Sequence, residues 1–235
     1  MNLRKDLLPI FKKHNLIFNN MVKESEEVYT FNFMPKNPIN WMAGQHAIFI
    51  INHKKIHKPI RPFSIASSPT EKLIKISVKI PHRPSEFKQA LLDLNPGDEI
   101  IMRGPVGGFY IKNEKPTLFI TGGIGVTPYR SMVKQLLDKN TIQPATIDML
   151  YMDSSKLFLY KNNFDAAKDH IMFNIHYLSN RESFHKNLET YAKANKNNAN
   201  YFLTGSKAMV NSTMKQLKTF GIKKKHIIKD TFIGY

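Results

Sequence analysis

The chain has no cysteine among its 235 residues. That removes disulfides, thiolate zinc sites, cysteine nucleophiles and any cysteine-ligated iron–sulfur cluster on this stretch. No apolar run approaches the roughly 20 residues needed to cross a bilayer, and Ala47–Ile51 is only strand-sized. The opening Met1-Asn2-Leu3-Arg4-Lys5-Asp6 lacks the apolar core and small-residue cleavage site of a signal peptide, so a cytoplasmic location is expected. Acidic residues are scarce: 18 Asp and Glu face 35 Lys and Arg, a formal charge of +17. Such an excess fits an acidic partner, whether nucleic acid, anionic membrane or acidic redox protein. The lysines are scattered from Lys5 to Lys229, and Lys223-Lys224-Lys225 is the one triple. No nucleic-acid module accompanies them, so no nucleic acid is expected, and the charge reads first as solubility and second as attraction for an acidic electron-transfer partner. There is no G-x-S-x-G elbow, and Ser, His and Asp show no organised catalytic spacing. His53 and His57 share a helical spacing but lie in a cationic turn with no carboxylate near in sequence, which argues against a metal site.

What is present begins with an ordinary hydrophobic fraction of 42%, enough for a packed core. The first half reads as strands: Asn15–Val22, Glu27–Met34, Gln45–Asn52, Leu73–Ile80 and Glu99–Arg103, separated by turn residues. Ile74, Ile76, Val78 and Ile80 alternate onto one face. Ser85 caps one helical insert, whose apolar side is Phe87, Leu91, Leu92 and Leu94. From Pro116 the texture changes. Apolar strands at Thr117–Thr121, Thr146–Tyr151, Met172–Leu178, Tyr201–Thr204 and His226–Lys229 alternate with helical patterns, among them Pro128–Lys139 and Ser206–Phe220. The expected architecture is an antiparallel β-barrel over residues 1–112, with a helix within residues 1–14, then an α/β domain with a parallel five-stranded sheet over residues 116–235. Lys193–Asn200 reads as an exposed loop.

Two segments carry chemistry. Thr121-Gly122-Gly123-Ile124-Gly125-Val126-Thr127-Pro128 ends an apolar strand and opens a helix. Glycines there let backbone amides approach a nucleotide diphosphate, Thr127 serves as N-cap, and Pro128 is tolerated in the first helical turn. An ordinary strand–turn–helix connection is the alternative, and the cap and helix favour phosphate binding. Arg61-Pro62-Phe63-Ser64-Ile65-Ala66-Ser67 places a cation, a ring and a hydroxyl on one extended stretch. Arg61 and Phe63 share a face, and Ser64 lies at the strand end. That set suits a flat, anionic flavin nucleotide, although standing alone it reads better as an edge strand with a proline and a surface arginine.

Taken in order with Asn95-Pro96-Gly97-Asp98, Gly104-Pro105-Val106-Gly107-Gly108-Phe109, Tyr201-Phe202-Leu203-Thr204-Gly205-Ser206 and Asp230-Thr231-Phe232-Ile233-Gly234-Tyr235, these segments resemble the ferredoxin–NADP reductase family from Asn15 to Tyr235. The resemblance implies a flavin-binding barrel followed by a nicotinamide-nucleotide domain, with hydride passing between NAD(P)H and flavin. It implies that Arg61 binds flavin phosphates, that Phe63 stacks on the ring where tyrosine is commoner, and that Ser64 sits beside the hydride-accepting nitrogen. Ser77, Val78 and Lys79 match a strand whose backbone lines the flavin, and Ser85 and Lys88 match a phosphate-contacting loop that usually contains glycine. FAD is commoner than FMN in the family. Thr204-Gly205-Ser206 stands where many members carry Cys-Gly-Pro beside the nicotinamide. Asp230 matches a carboxylate near the site or is a strand-end turn residue, and either Phe232 or Tyr235 covers the flavin. Ser179 and Arg181 match residues that take the extra phosphate of NADP, which leans the choice from NAD towards NADP. Electrons then pass to a separate acceptor or come from a separate donor: ferredoxin, flavodoxin, another subunit or a small molecule. The alternatives are an electron-transfer subunit or redox sensor without independent turnover, and a basic nucleic-acid-binding module resting on charge alone.

Overall fold

The computed structural model describes residues 6–138 and 141–232. The chain forms two compact units, one from residues up to Tyr110 with Thr127–Gln135, the other from Ile111–Val126 with Leu136 onward.

The first unit is a six-stranded antiparallel half-barrel. Its strands are β1 (Lys13–Lys23), β2 (Val28–Pro35), β3 (His46–Ile50), β4 (Ile60–Ser64), β5 (Ile74–Lys79) and β6 (Glu99–Val106), in the order β4-β3-β6-β1-β2-β5. Alternation drives it. Ile74, Ile76 and Val78 of β5 point inward with Phe31 and Phe33 of β2 and Phe49 of β3, and all are buried. Helix α1 (Glu86–Leu92) adds Phe87, Ala90 and Leu91 to the same core, with Ser85 accepting from Lys88 N at 3.4 Å. β4 and β5 are the two edges. Ala66 N donates to Lys75 O at 2.8 Å and Lys75 N to Ser67 Oγ at 3.0 Å, so the sheet closes on itself at one end. Helix α2 (Thr127–Leu136) packs into this unit through the buried Tyr129 and Met132, the ring of Tyr129 lying 5.8 Å from that of Phe109. Gly44, at φ 102°, makes room for α2, because a Cβ there would meet Met132 Cε at 2.2 Å.

The second unit is a parallel sheet of β7 (Thr117–Gly122), β8 (Ile147–Met152), β9 (Phe173–Leu178), β10 (Asn200–Ser206) and β11 (Ile227–Phe232), ordered β11-β10-β7-β8-β9. Helices α3 (Lys161–Ala167), α4 (Arg181–Asn195) and α5 (Lys207–Thr219) complete it. Leu118 and Ile120 pack with Leu188 of α4 and Val210 and Leu217 of α5. The opposite face holds Phe119 against Phe202, with Phe173 against Phe164 of α3. Burial on both faces explains why the central strands β7 and β10 read as near-continuous apolar runs, whereas edge strand β9 exposes Asn174 and His176. Strand order reverses between β7 and β10, the point at which such sheets open a crevice at their carboxyl ends.

Two local expectations need correction, and a third lies partly outside the described residues. Of the helix expected within residues 1–14, the described part shows Asp6 in a helical turn, a 3₁₀ turn at Leu8–Phe11 and the start of β1 at Lys13, so no helix extends to His14. Pairing of Lys13 and His14 with Arg103 and Met102 outweighs their helical tendency. Lys193–Asn200 is not a loop. It is the end of α4, a 3₁₀ turn at Lys196–Asn198 and the buried first residue of β10. Thr127 is the first helical residue rather than a cap, because a 3₁₀ turn over Gly123–Val126 runs directly into α2.

Candidate functional site

In the first unit, Arg61 and Phe63 do share a face, and Phe87 of α1 lies against both. Arg61 Cζ is 5.7 Å from the Phe87 ring, and the Phe63 ring is 5.8 Å from those of Phe87 and Phe49. A pocket of about 380 Å³ opens here, lined by His57, Lys58, Arg61, Ser85, Glu86 and Phe87. The Arg61 guanidinium is turned by its own backbone, Nη1 donating to Ile60 O at 2.7 Å. Burial lowers the Lys88 ammonium below its usual range, and the nearby cations of Arg61 and Lys79 lower it further. Arg61 and Lys58 give the pocket wall positive charge able to receive an anion, with Glu86 the one carboxylate among the lining residues. Glu86 Oε2 accepts from the backbone N–H of His57 at 2.9 Å, which ties the β3–β4 turn to the start of α1 and leaves the imidazole out of the contact.

Ser64 ends β4. Its Oγ is buried and has no hydrogen-bond partner among the described residues. The strand register places His46 opposite Ser64, and His46 Nδ1 is likewise buried without a partner among them. Gly107, at φ 100°, leaves space for that ring, since a Cβ would come within 2.9 Å of it. The segment after Ser64 is held from four sides. Ile65 N donates to Gln45 O at 3.0 Å, Arg130 Nη1 to Ala66 O at 2.9 Å, and Trp41 Nε1 and Ser131 Oγ to Ser67 O at 3.1 and 2.6 Å. Pro62 sits exposed on the edge strand, where its missing N–H costs nothing. On the other edge, Ser77 Oγ is bonded to Thr30 Oγ1 at 2.8 Å, Val78 is buried, and Lys79 pairs with Glu27 at 3.1 Å. With those side chains engaged, what β5 offers outward is its backbone. Ser85 spends its hydroxyl on the α1 cap.

A flavin nucleotide fits these residues: an orphaned buried hydroxyl, an aromatic platform and a cationic pocket meet on one edge of the half-barrel.

In the second unit, the glycine turn follows β7. Gly123 adopts φ 52°. A Cβ on Gly125 would meet Thr121 Oγ1 at 2.9 Å and Gly205 Cα at 3.0 Å, and one on Gly122 would meet Met209 Sδ at 2.6 Å. Gly205, at φ 138°, faces the same sulfur. The two glycine segments therefore touch where the strand order reverses, Gly125 against Gly205, with Met209 Sδ packed on both Gly122 and Gly205. Thr204 is buried; its Oγ1 donates to Gly125 O at 2.8 Å and lies 3.2 Å from Thr121 Oγ1. Tyr151 OH donates to Gly123 O at 3.2 Å. Ser206 caps α5 by accepting from Met209 N at 3.3 Å. Ser179 is half-buried after β9, Asn180 caps α4 by accepting from Ser183 N at 2.8 Å, and Arg181 is exposed in the first turn. Asp230 pairs with Thr204 in register and Phe232 with Ser206. The side chain of Phe232 and all of Tyr235 lie outside the described residues.

Sequence reasoning missed His46, Trp41, Arg130, Ser131, Tyr151 and Met209. Each acts through a partner distant in sequence, and none stands in a motif by itself.

Comparisons with known proteins agree on both units. The family model for the oxidoreductase FAD-binding domain matches residues 13–111, and that for the ferric reductase NAD binding domain matches residues 115–228. Among curated proteins, a component of the Na(+)-translocating NADH-quinone reductase of Actinobacillus pleuropneumoniae is 26% identical over 200 residues, covering 74% of this chain and 49% of that protein. The chain thus spans about half the length of the curated relatives it matches. Among solved structures, ferredoxin-NADP+ reductase from Plasmodium falciparum has a TM-score of 0.80 at 18% identity, covering 97% of this chain and 99% of that one. The cytochrome b5 reductase domain of Ulva prolifera nitrate reductase has a TM-score of 0.78 at 18% identity, covering 96% and 99%.

Proposed function

The chain belongs to the ferredoxin–NADP reductase-like family of FAD- and NAD-binding oxidoreductases, and from that premise we propose that it passes hydride between NAD(P)H and a bound flavin and then delivers electrons to a separate acceptor. The observation that carries this reading is the Ser64 hydroxyl, buried and unpartnered among the described residues, at the end of the strand that bears Arg61 and Phe63. A bound flavin supplies the capacity to take two electrons from a nicotinamide and release them singly.

Everything else is the work of this chain's residues. Arg61 binds the flavin phosphates through its forked donors, with Lys88 adding charge and Ser85 fixing the start of α1. Phe63 provides the stacking face, supported from behind by Phe49 and Phe87. Ser64, with His46 opposite, offers a hydrogen bond at the reactive edge of the ring. The backbone of Ser77, Val78 and Lys79 lines the flavin. Gly122, Gly123 and Gly125, with Gly205 and Ser206, present backbone to the nicotinamide diphosphate at the start of the Thr127–Pro128 helical turn. Ser179 and Arg181 take the extra phosphate of NADP, so NADP is favoured over NAD and FAD over FMN. Asp230 lies near the reacting groups, and Phe232 or Tyr235 covers the ring.

The chain contains no cysteine for an iron–sulfur cluster, so the acceptor is held elsewhere. Its charge of +17 favours an acidic redox protein in the cytoplasm. No helix among the described residues is long and apolar enough to cross a membrane. A second reading, an electron-transfer subunit without independent turnover, is favoured by Thr204 at the position where many relatives hold a cysteine. Anaerobic stopped-flow mixing of the FAD-loaded protein with NADPH and with NADH separates the two. Rapid loss of visible flavin absorbance supports the reductase, and tight flavin binding without bleaching supports the second reading. A protein that takes up neither FAD nor FMN ends both.

A further inference from the structure

A loop that holds an anion through its N–H groups must turn its carbonyl oxygens away from that anion. Otherwise the oxygens repel it, and the peptide planes rotate to relieve the clash. Glycine makes such rotation easy, so a glycine-rich turn needs something to fix its peptides. In this turn two carbonyls are fixed from opposite sides. Tyr151 of β8 donates to Gly123 O at 3.2 Å, and Thr204 of β10 donates to Gly125 O at 2.8 Å. Both hydroxyls are themselves anchored. Leu159 N donates to Tyr151 OH at 3.0 Å, which leaves the phenol proton free to point at Gly123, and Thr204 Oγ1 lies 3.2 Å from Thr121 Oγ1 on the neighbouring strand. Tyr151 and Thr204 are buried, so water does not compete for these bonds.

We propose that Tyr151 and Thr204 are positioning residues for the nicotinamide diphosphate, each holding one carbonyl of the Gly122–Gly125 turn so that the intervening amides face the ligand. The assignment rests on the reading of this turn as the diphosphate site. It also gives Thr204 a task that a cysteine would do less well, since a thiol is a weak, long-range donor to a carbonyl.

The test uses the full chain loaded with FAD. Thr204→Val and Tyr151→Phe keep shape and remove the hydroxyl, and Thr204→Ser restores it. Calorimetry measures the affinity for ADP and for AMP, and steady-state assays separate KM from kcat. For one lost hydrogen bond, ADP affinity falls and KM for NAD(P)H rises by about five- to tenfold. AMP affinity changes by less than about twofold, and Thr204→Ser lies within about twofold of the parent. Equal weakening of ADP and AMP, or a fall in kcat at constant KM, overturns the assignment, the latter by placing Thr204 at the nicotinamide. If Thr204→Val does not fold, Tyr151→Phe and Thr204→Ser still decide. A parent protein that binds neither ADP nor NAD(P)H removes the diphosphate reading itself. A parent that binds while the variants match it removes only the carbonyl hold.

Discussion

Arg130 meets Glu71 in a two-pronged contact, Nη1 to Oε2 at 2.5 Å and Nη2 to Oε1 at 2.8 Å, with both side chains largely withdrawn from solvent. The same guanidinium holds Ala66 O, and Glu71 also accepts from Ser68 N at 2.7 Å. The pair therefore braces the segment that follows Ser64. Burial pushes the Glu71 carboxyl up, but Arg130, the Ser68 amide and Lys75 together outweigh burial and hold it below the usual carboxylate range.

Breaking this pair destabilises the first unit. Glu71→Gln leaves a buried guanidinium short of its counter-charge and is expected to cost about 3 kcal/mol at pH 7, read by urea unfolding. The pH dependence has a definite sign. The folded carboxyl titrates below its unfolded value of about 4.5, so its stabilisation is complete above that pH and is lost as pH falls through the folded value. The gap between parent and Glu71→Gln therefore narrows on acidification. A gap that stays constant from neutral pH down to the acid limb removes Glu71 as its source.

Ser64→Ala separates function from stability. The Ser64 hydroxyl has no partner among the described residues, so deleting it leaves the flavin-free protein as stable as the parent, or more so. Flavin reduction by NAD(P)H slows by about 100- to 1,000-fold, the range for losing one positioned hydrogen bond at a reacting atom. A melting temperature that drops by several degrees in the flavin-free variant contradicts the first half, and an unchanged reduction rate the second.

The turn glycines differ in what they tolerate. At Gly123 a Cβ has open space, and the cost of alanine is its φ of 52°, about 1 kcal/mol. At Gly125 the added carbon would press on Gly205 Cα and N at 3.0 and 3.1 Å and on Thr121 Oγ1 at 2.9 Å. Gly125→Ala is thus the more damaging change, by about 2 kcal/mol or more in stability, with NAD(P)H binding lost before flavin binding. Parallel chemical unfolding and ligand titration of the two variants check the order.

Arg181 is exposed at the start of α4, where a cation opposes the helix dipole. Arg181→Glu should leave stability unchanged or raise it by about 0.5 kcal/mol. It should raise KM for NADPH by about tenfold while sparing NADH, because a charge-assisted bond to the extra phosphate is exchanged for repulsion. Steady-state assays with both nucleotides decide, and equal effects on the two place Arg181 outside the site.

The strands and their faces were legible in the sequence because alternation and unbroken apolar runs report burial directly. Ile74, Ile76 and Val78 are buried as their spacing implies, and Leu118 to Ile120 are covered on both sides. Local competition was less legible: pairing with β6 drew Lys13 and His14 into a strand, and α4 ran on through Lys193 to Asn195 despite a polar, loop-like composition. By itself the sequence determined which backbone segments are glycine-poised and which edge strand bears Arg61, Phe63 and Ser64, since these are properties of neighbours along the chain. Only the tertiary structure decided that Ser64 is left without a partner among the described residues, that His46 stands opposite it, and that Tyr151 and Thr204 reach the carbonyls of the glycine turn. Those are pairings across strands, fixed by register and sheet order, and register depends on the packing of the whole unit rather than on any one stretch of residues.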